Sequence, residues 1–118
     1  MAMNAAFINA IANEVDDLIT HIGIIDSALA ELTGGATDAL YARVAVTWTA
    51  ASSGLIRPST NLVFNIPASN TIGGWRGYSA SASGTDYGGE ALYNAVYTDA
   101  DTFTLLAAET GIEFAVGS

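Results

Sequence analysis

Along the first twenty-two residues the apolar positions fall where a helix would gather them. Phe7, Ile8, Ile11, Val15, Leu18, Ile19 and Ile22 recur at spacings of one, three and four, which line one stripe of a helix. Asn9, Asn13, Glu14, Asp16 and Asp17 fall mainly off that stripe. Asn4 is placed to cap the N-terminus and Gly23 to end the helix. The pattern predicts one amphipathic helix over residues 1–22. Its stripe has two uses, packing on the chain's own sheet or docking on a neighbouring subunit, and its width and terminal position keep the second open.

Beyond Gly23 the period shortens. Ile24-Ile25, 41–48, 61–66, Thr71-Ile72 and 74–78 read as short strands, with others around 91–96, 102–106 and 112–116. Alternation is clearest where Leu62, Phe64 and Ile66 share one face while Asn61, Val63 and Asn65 share the other. Between these runs lies turn chemistry: Thr33-Gly34-Gly35, Ser52-Ser53-Gly54, Pro67-Ala68-Ser69-Asn70, Ser83-Gly84 and Tyr87-Gly88-Gly89. Pro58 and Pro67 fall at strand edges, where a missing N–H is tolerated. Many short strands separated by such turns predict a mostly-β fold, a compact antiparallel, jelly-roll-like β-sandwich over residues 23–118 behind the helix. With no long polar linker and no repeat, the 118 residues form one compact unit.

Charge changes the picture by exclusion. Twelve acidic residues face three arginines and no lysine, for a net charge of −9. Such a chain repels phosphate backbones and anionic membrane surfaces, so neither nucleic acid nor membrane is an expected partner. Apolar residues make up 51% and charged residues only 13%, too few mixed charges for the surface of a small free monomer. A neighbouring subunit would cover what polar groups do not. No apolar stretch is long enough to span a bilayer, and the start of the chain lacks a basic signal-peptide region. The expectation is a protein soluble where it is made.

Candidate chemistry is sparse. Cysteine is absent and His21 is the single histidine, read as a helix-terminal or surface residue. Asp86 and Glu90 flank Tyr87-Gly88-Gly89, and Asp99 and Asp101 share one turn. In a chain this acidic such pairs arise by chance, and the second lacks the glycine and distal glutamate of a calcium loop. None of the glycine pairs belongs to a phosphate-binding motif. No catalytic residue, cofactor or metal is expected. What remains is a cluster of Trp75, Arg76, Tyr78 and Tyr87, followed by Tyr93 and Tyr97. These residues can fill a core, anchor a protein interface or contact a glycan weakly. Arg43, Arg57 and Arg76, surrounded by acids, are each expected to pair with a carboxylate within the domain or across a subunit contact.

The order of several short pieces resembles a family of small virion proteins of tailed bacteriophages. They are Ile22-Gly23-Ile24-Ile25-Asp26, Glu31-Leu32-Thr33-Gly34-Gly35, Tyr41-Ala42-Arg43 and Val46-Thr47-Trp48. Leu62-Val63-Phe64-Asn65-Ile66-Pro67, Trp75-Arg76-Gly77-Tyr78-Ser79-Ala80 and Asp86-Tyr87-Gly88-Gly89 follow in the same order. The resemblance covers roughly residues 5–112, and the chain departs from longer relatives in a compact acidic segment between Asp26 and Tyr41. It implies a sandwich-like subunit, made in the host cytoplasm and located on the virion. Such a subunit would be a capsid decoration (minor capsid) protein, forming a homotrimer or other homo-oligomer against a shell protein. The alternative is a minor tail or tail-fibre protein, offering Trp75 and Tyr78 to host glycans. Expected contacts with a subunit or partner are Phe7, Ile8, Ile11, Val15, Leu18, Arg43, Arg57, Trp75, Arg76 and Tyr78. A small carbohydrate-active enzyme using Asp86 and Glu90 is the third reading.

Overall fold

The helical stripe is interrupted early and gives way to a strand. The computed structural model describes residues 5–32, 41–91 and 94–113. Its helical segment consists of α1 (Ala5–Asn13) and α2 (Val15–Leu18), joined by a turn at Glu14. The last helical N–H is that of Ile19, bonded to the Val15 carbonyl at 2.8 Å; the next, of Thr20, already bonds the Tyr78 carbonyl of the sheet at 3.0 Å. Ile22 and Gly23, expected as the end and the stop of the helix, instead lie inside β1 (His21–Asp26). Five of the seven residues from Ile19 to Ile25 are β-branched, which explains the change, since such side chains lose less freedom in a pleated strand than in a helix. His21 is therefore a strand residue, with its Nδ1 2.9 Å from the hydroxyl of Thr20. Asn4 lies outside the described residues.

β1 pairs along its length with β5 (Asn70–Tyr78). The remaining strands of this sheet flank that pair. β2 (Val44–Ala45) lies on the far side of β1, and β6 (Asp86–Glu90) and β7 (Ala95–Tyr97) share the far edge of β5. Two further pairs complete the described strands: β3 (Leu55–Ile56) with β9 (Ile112–Glu113), and β4 (Leu62–Ile66) with β8 (Asp101–Leu105). All of these pairings are antiparallel. The fold is mostly β behind an N-terminal helix.

One face of the main sheet forms the core. Ile22 stands opposite Gly77 and Ile24 opposite Trp75, which places them on that face. They pack with Leu62, Phe64 and Ile66, the alternating inner positions of β4. Val15 and Ile19 join the same cluster, so a boundary at residue 22 would cut through one core. The helix is also tied on by polar groups. Asn9 and Asn13, one turn apart off the apolar stripe, accept the N–H groups of Gly54 and Ala51 at 2.8 Å each. The turn they hold is a two-residue hairpin. Ser52 and Leu55 exchange both backbone bonds at 2.9 Å, and Ser53 and Gly54 have φ of 52° and 76°. Positive φ at both central positions matches the right-handed twist of a hairpin.

Several strands differ from expectation. The run 41–48 contributes only Val44–Ala45 and a bridge from Trp48 to Pro58. Thr71-Ile72 and 74–78 are one strand with a bulge opposite Ile25 and Asp26. Tyr87-Gly88-Gly89, expected as a turn, lies in β6, because its backbone completes the edge of β5. Leu55–Ile56 is too short for its alternation to show. Residues 33–40, 92–93 and 114–118, and with them Thr33-Gly34-Gly35, Tyr93 and the end of the last predicted strand, lie outside the described residues. Among the described residues no helix is long and apolar enough to cross a membrane.

Candidate functional site

The face of the main sheet turned away from the core carries a polar network over Gly23. A bridge between Ile25 and Glu31 brings Glu31 onto this face. Tyr41 donates its hydroxyl to Glu31 Oε2 at 2.6 Å and accepts the Ile24 N–H at 2.9 Å. Arg43 donates through Nε and Nη2 to the two oxygens of Glu31, both at 2.8 Å. Its Nη1 donates to the carbonyls of Ala80 at 3.0 Å and Ser83 at 2.8 Å, and its guanidinium lies 3.6 Å from the centroid of the Tyr78 ring. A planar fork serves both requirements at once, binding a carboxylate edge-on and stacking on an aromatic face. Space for the network depends on Gly23, where a Cβ would come within 2.6 Å of Glu31 Oε2, 2.7 Å of the Tyr41 oxygen and 2.8 Å of the Tyr78 ring.

Electrostatics follow from these contacts. Partial burial pushes the Glu31 carboxyl upward, but hydrogen bonds from Arg43 and Tyr41 outweigh it and hold the group below its ordinary value. Burial, then donation to Glu31, drives the Tyr41 phenol far above its usual range. Burial also raises Tyr78. Nearby, Arg76 bonds Asp86 Oδ2 at 2.8 Å while Asp86 Oδ1 accepts the Gly88 N–H at 2.7 Å. Burial acts upward on Asp86 too, and these two bonds bring it below its ordinary value. Chemically the network is a fastening. It joins β1, the segment at 41–43 and the loop after β5 into one unit.

A different feature lies toward the core side, beneath β6. A groove of about 230 Å³ is lined by Ile19, Trp75, Tyr87, Glu90 and Ile112. A second hollow of about 200 Å³ shares Ile19, Tyr87 and Ile112 and adds Val15 and Leu18. Leu18 and Tyr87 are each 45% exposed. Trp75 is 1% exposed, and its buried indole N–H has no acceptor among the described residues. The carboxylate of Glu90, directly opposite Trp75 in the register, has no hydrogen-bond or ion-pair partner among the described residues.

The structure distributes the sequence-derived candidates as follows. Ile8, Val15, Trp75 and Tyr78 are buried within the chain and present almost no surface to a partner. Ile11 is half-buried, whereas Phe7 and Leu18 are exposed. Arg43 and Arg76 pair with carboxylates of their own chain. Arg57 has no carboxylate partner among the described residues: its Nη1 donates to the carbonyls of Ala108 at 2.6 Å and Thr110 at 3.5 Å. Asp86 and Glu90 stand opposite Tyr78 and Trp75, which lie on different faces of the sheet, so the two carboxylates do not converge. Asp101 accepts the adjacent Thr102 N–H at 2.8 Å, and no cluster of three or more metal-ligating side chains occurs among the described residues. Glu31, Tyr41 and the groove position of Glu90 escaped the sequence reading. Glu31 and Arg43 are twelve residues apart in different segments, so no local period announces their contact.

Comparison with known proteins returns no matching family model, no matching curated protein and no matching solved structure.

Proposed function

We propose that the chain is a non-enzymatic structural subunit of a tailed-bacteriophage virion, an oligomeric capsid decoration protein on the particle surface. One observation carries the assembly part of this reading. All three arginines of a lysine-free chain are bonded to groups of the chain itself, while Phe7, Leu18, Val63, Val96 and Leu106 stand exposed. An acidic surface with two of its three arginines already paired with carboxylates, and with a surplus of apolar area, suits contact with another protein far better than contact with phosphate. The virion part rests on the order of motifs from Ile22-Gly23 through Asp86-Tyr87-Gly88-Gly89.

The alternative, a minor tail protein contacting host glycans, loses two of its anchors because Trp75 and Tyr78 are buried. Copy number in purified particles separates the two. Hundreds of copies support the capsid and a few support the tail, whereas absence from particles overturns both. Light scattering behind size exclusion tests assembly directly. A homotrimer or other closed oligomer is expected, and a monomer at all concentrations would count against self-assembly.

A further inference from the structure

We propose that the groove beneath β6 receives a lysine or arginine side chain from a different protein, with Glu90 as its counter-charge. The proposal deepens the structural-subunit reading and rests on it only for the partner being a protein. Three features of the groove converge on a cationic side chain with an apolar stem. Its apolar wall is formed by Ile19 and Ile112, which suit an aliphatic stem, and Leu18 lines the adjoining hollow. The half-exposed ring of Tyr87 offers an aromatic face to a cation. Glu90 supplies a carboxylate without a partner among the described residues.

Charge then decides who can supply the occupant. A second copy of this chain has no lysine; its Arg43 and Arg76 are paired with carboxylates, and its Arg57 donates to two backbone carbonyls. Two copies would also each bring a net charge of −9 to the contact. Charge thus favours a different protein as the source of a side-chain cation for Glu90. Self-association, where it occurs, uses other surface.

The test titrates the intact ¹⁵N-labelled chain with the capped tripeptide acetyl-Leu-Arg-Leu-amide and with its citrulline analogue, which keeps the shape and loses the charge. The readout is the indole N–H resonance of Trp75, distinguished from that of Trp48 by the Trp48→Phe variant. A saturable shift with the arginine peptide, with roughly tenfold weaker binding of the citrulline peptide, is expected for a charge-assisted bond. Glu90→Gln should reduce the arginine peptide to the citrulline level while leaving the resonance dispersion of the fold intact. Tyr87→Ser should weaken it several-fold. Equal affinity for both peptides, unchanged affinity in Glu90→Gln, or no shift at millimolar peptide would overturn the proposal. So would a Trp75 shift that follows protein concentration without peptide, because a second copy would then fill the groove. Particle composition keeps the two readings apart. A Glu90→Gln chain that drops out of particles retaining the unaltered chain supports the groove, and one retained at equal occupancy refutes it. Absence of both chains refutes the virion reading and leaves the peptide result to judge the groove.

Discussion

Arg43 closes on Glu31 through two hydrogen bonds of 2.8 Å, and with its remaining nitrogen reaches two carbonyls of the loop after β5. One side chain therefore fastens three segments that are distant in sequence. Arg43→Ala leaves a partly buried carboxylate and two carbonyls without their donor, and should lower stability by about 2–4 kcal/mol. Arg43→Lys keeps the charge but loses the fork and the stacking on Tyr78, so it should recover only part of that loss. Urea midpoints of the two variants, read by circular dichroism, check the ranking.

The same pair makes stability depend on pH at the acid end. The Glu31 carboxyl is held below its ordinary value of 4.5 in the folded chain, after burial is outweighed by its donors. A depressed carboxylate stabilises the fold above its unfolded value, and the contribution disappears as pH falls through the folded value. Urea midpoints should be level above about pH 5 and decline below it, with Asp86 contributing in the same direction. Glu31→Gln should flatten part of that decline. At the alkaline end the sign reverses. Tyr41 and Tyr78 stay protonated in the fold above their ordinary value of 10.0, so stability should fall once pH rises beyond it, and less so in Tyr41→Phe.

Gly23 is required by close approach, since its φ is not in the left-handed region. A methyl group there would displace Glu31, Tyr41 and Tyr78 together. Gly23→Ala should therefore cost about 1–3 kcal/mol through overpacking. In a cycle with Arg43→Ala the two losses should be less than additive, because both disrupt one network. Fully additive losses would show that the glycine acts elsewhere.

Asn9 and Asn13 attach the helix to the hairpin at Ser52–Leu55 through two side-chain bonds of 2.8 Å. Replacing both with alanine removes the acceptors of two backbone N–H groups and should destabilise by about 1–2 kcal/mol. Hydrogen exchange should localise the effect. The amides of Ala51 and Gly54 are expected to exchange faster while those of β1 and β5 hold their protection.

Much of this architecture follows from local pattern. Leu62, Phe64 and Ile66 alternate with polar neighbours, and that alternation alone places them inward on a strand. The helix from Ala5 was legible for a similar reason, although its end was not. Ile19 to Ile25 satisfies helical spacing as well as strand propensity, and the choice falls to the sheet because β5 offers this segment a full row of hydrogen bonds. Charge balance likewise needed no coordinates, since nine uncompensated negative charges repel phosphate in any fold.

The groove and the network are different in kind. Glu31 meets Arg43 because both of their segments pair along β1, and Glu90 meets Trp75 because β6 pairs with β5. Register also sends Asp86 to the outer face and Glu90 to the groove, although they are four residues apart. Periodicity reports which side of an element a residue occupies. What it faces there depends on pairing partners far along the chain, and those are settled only when the whole core closes.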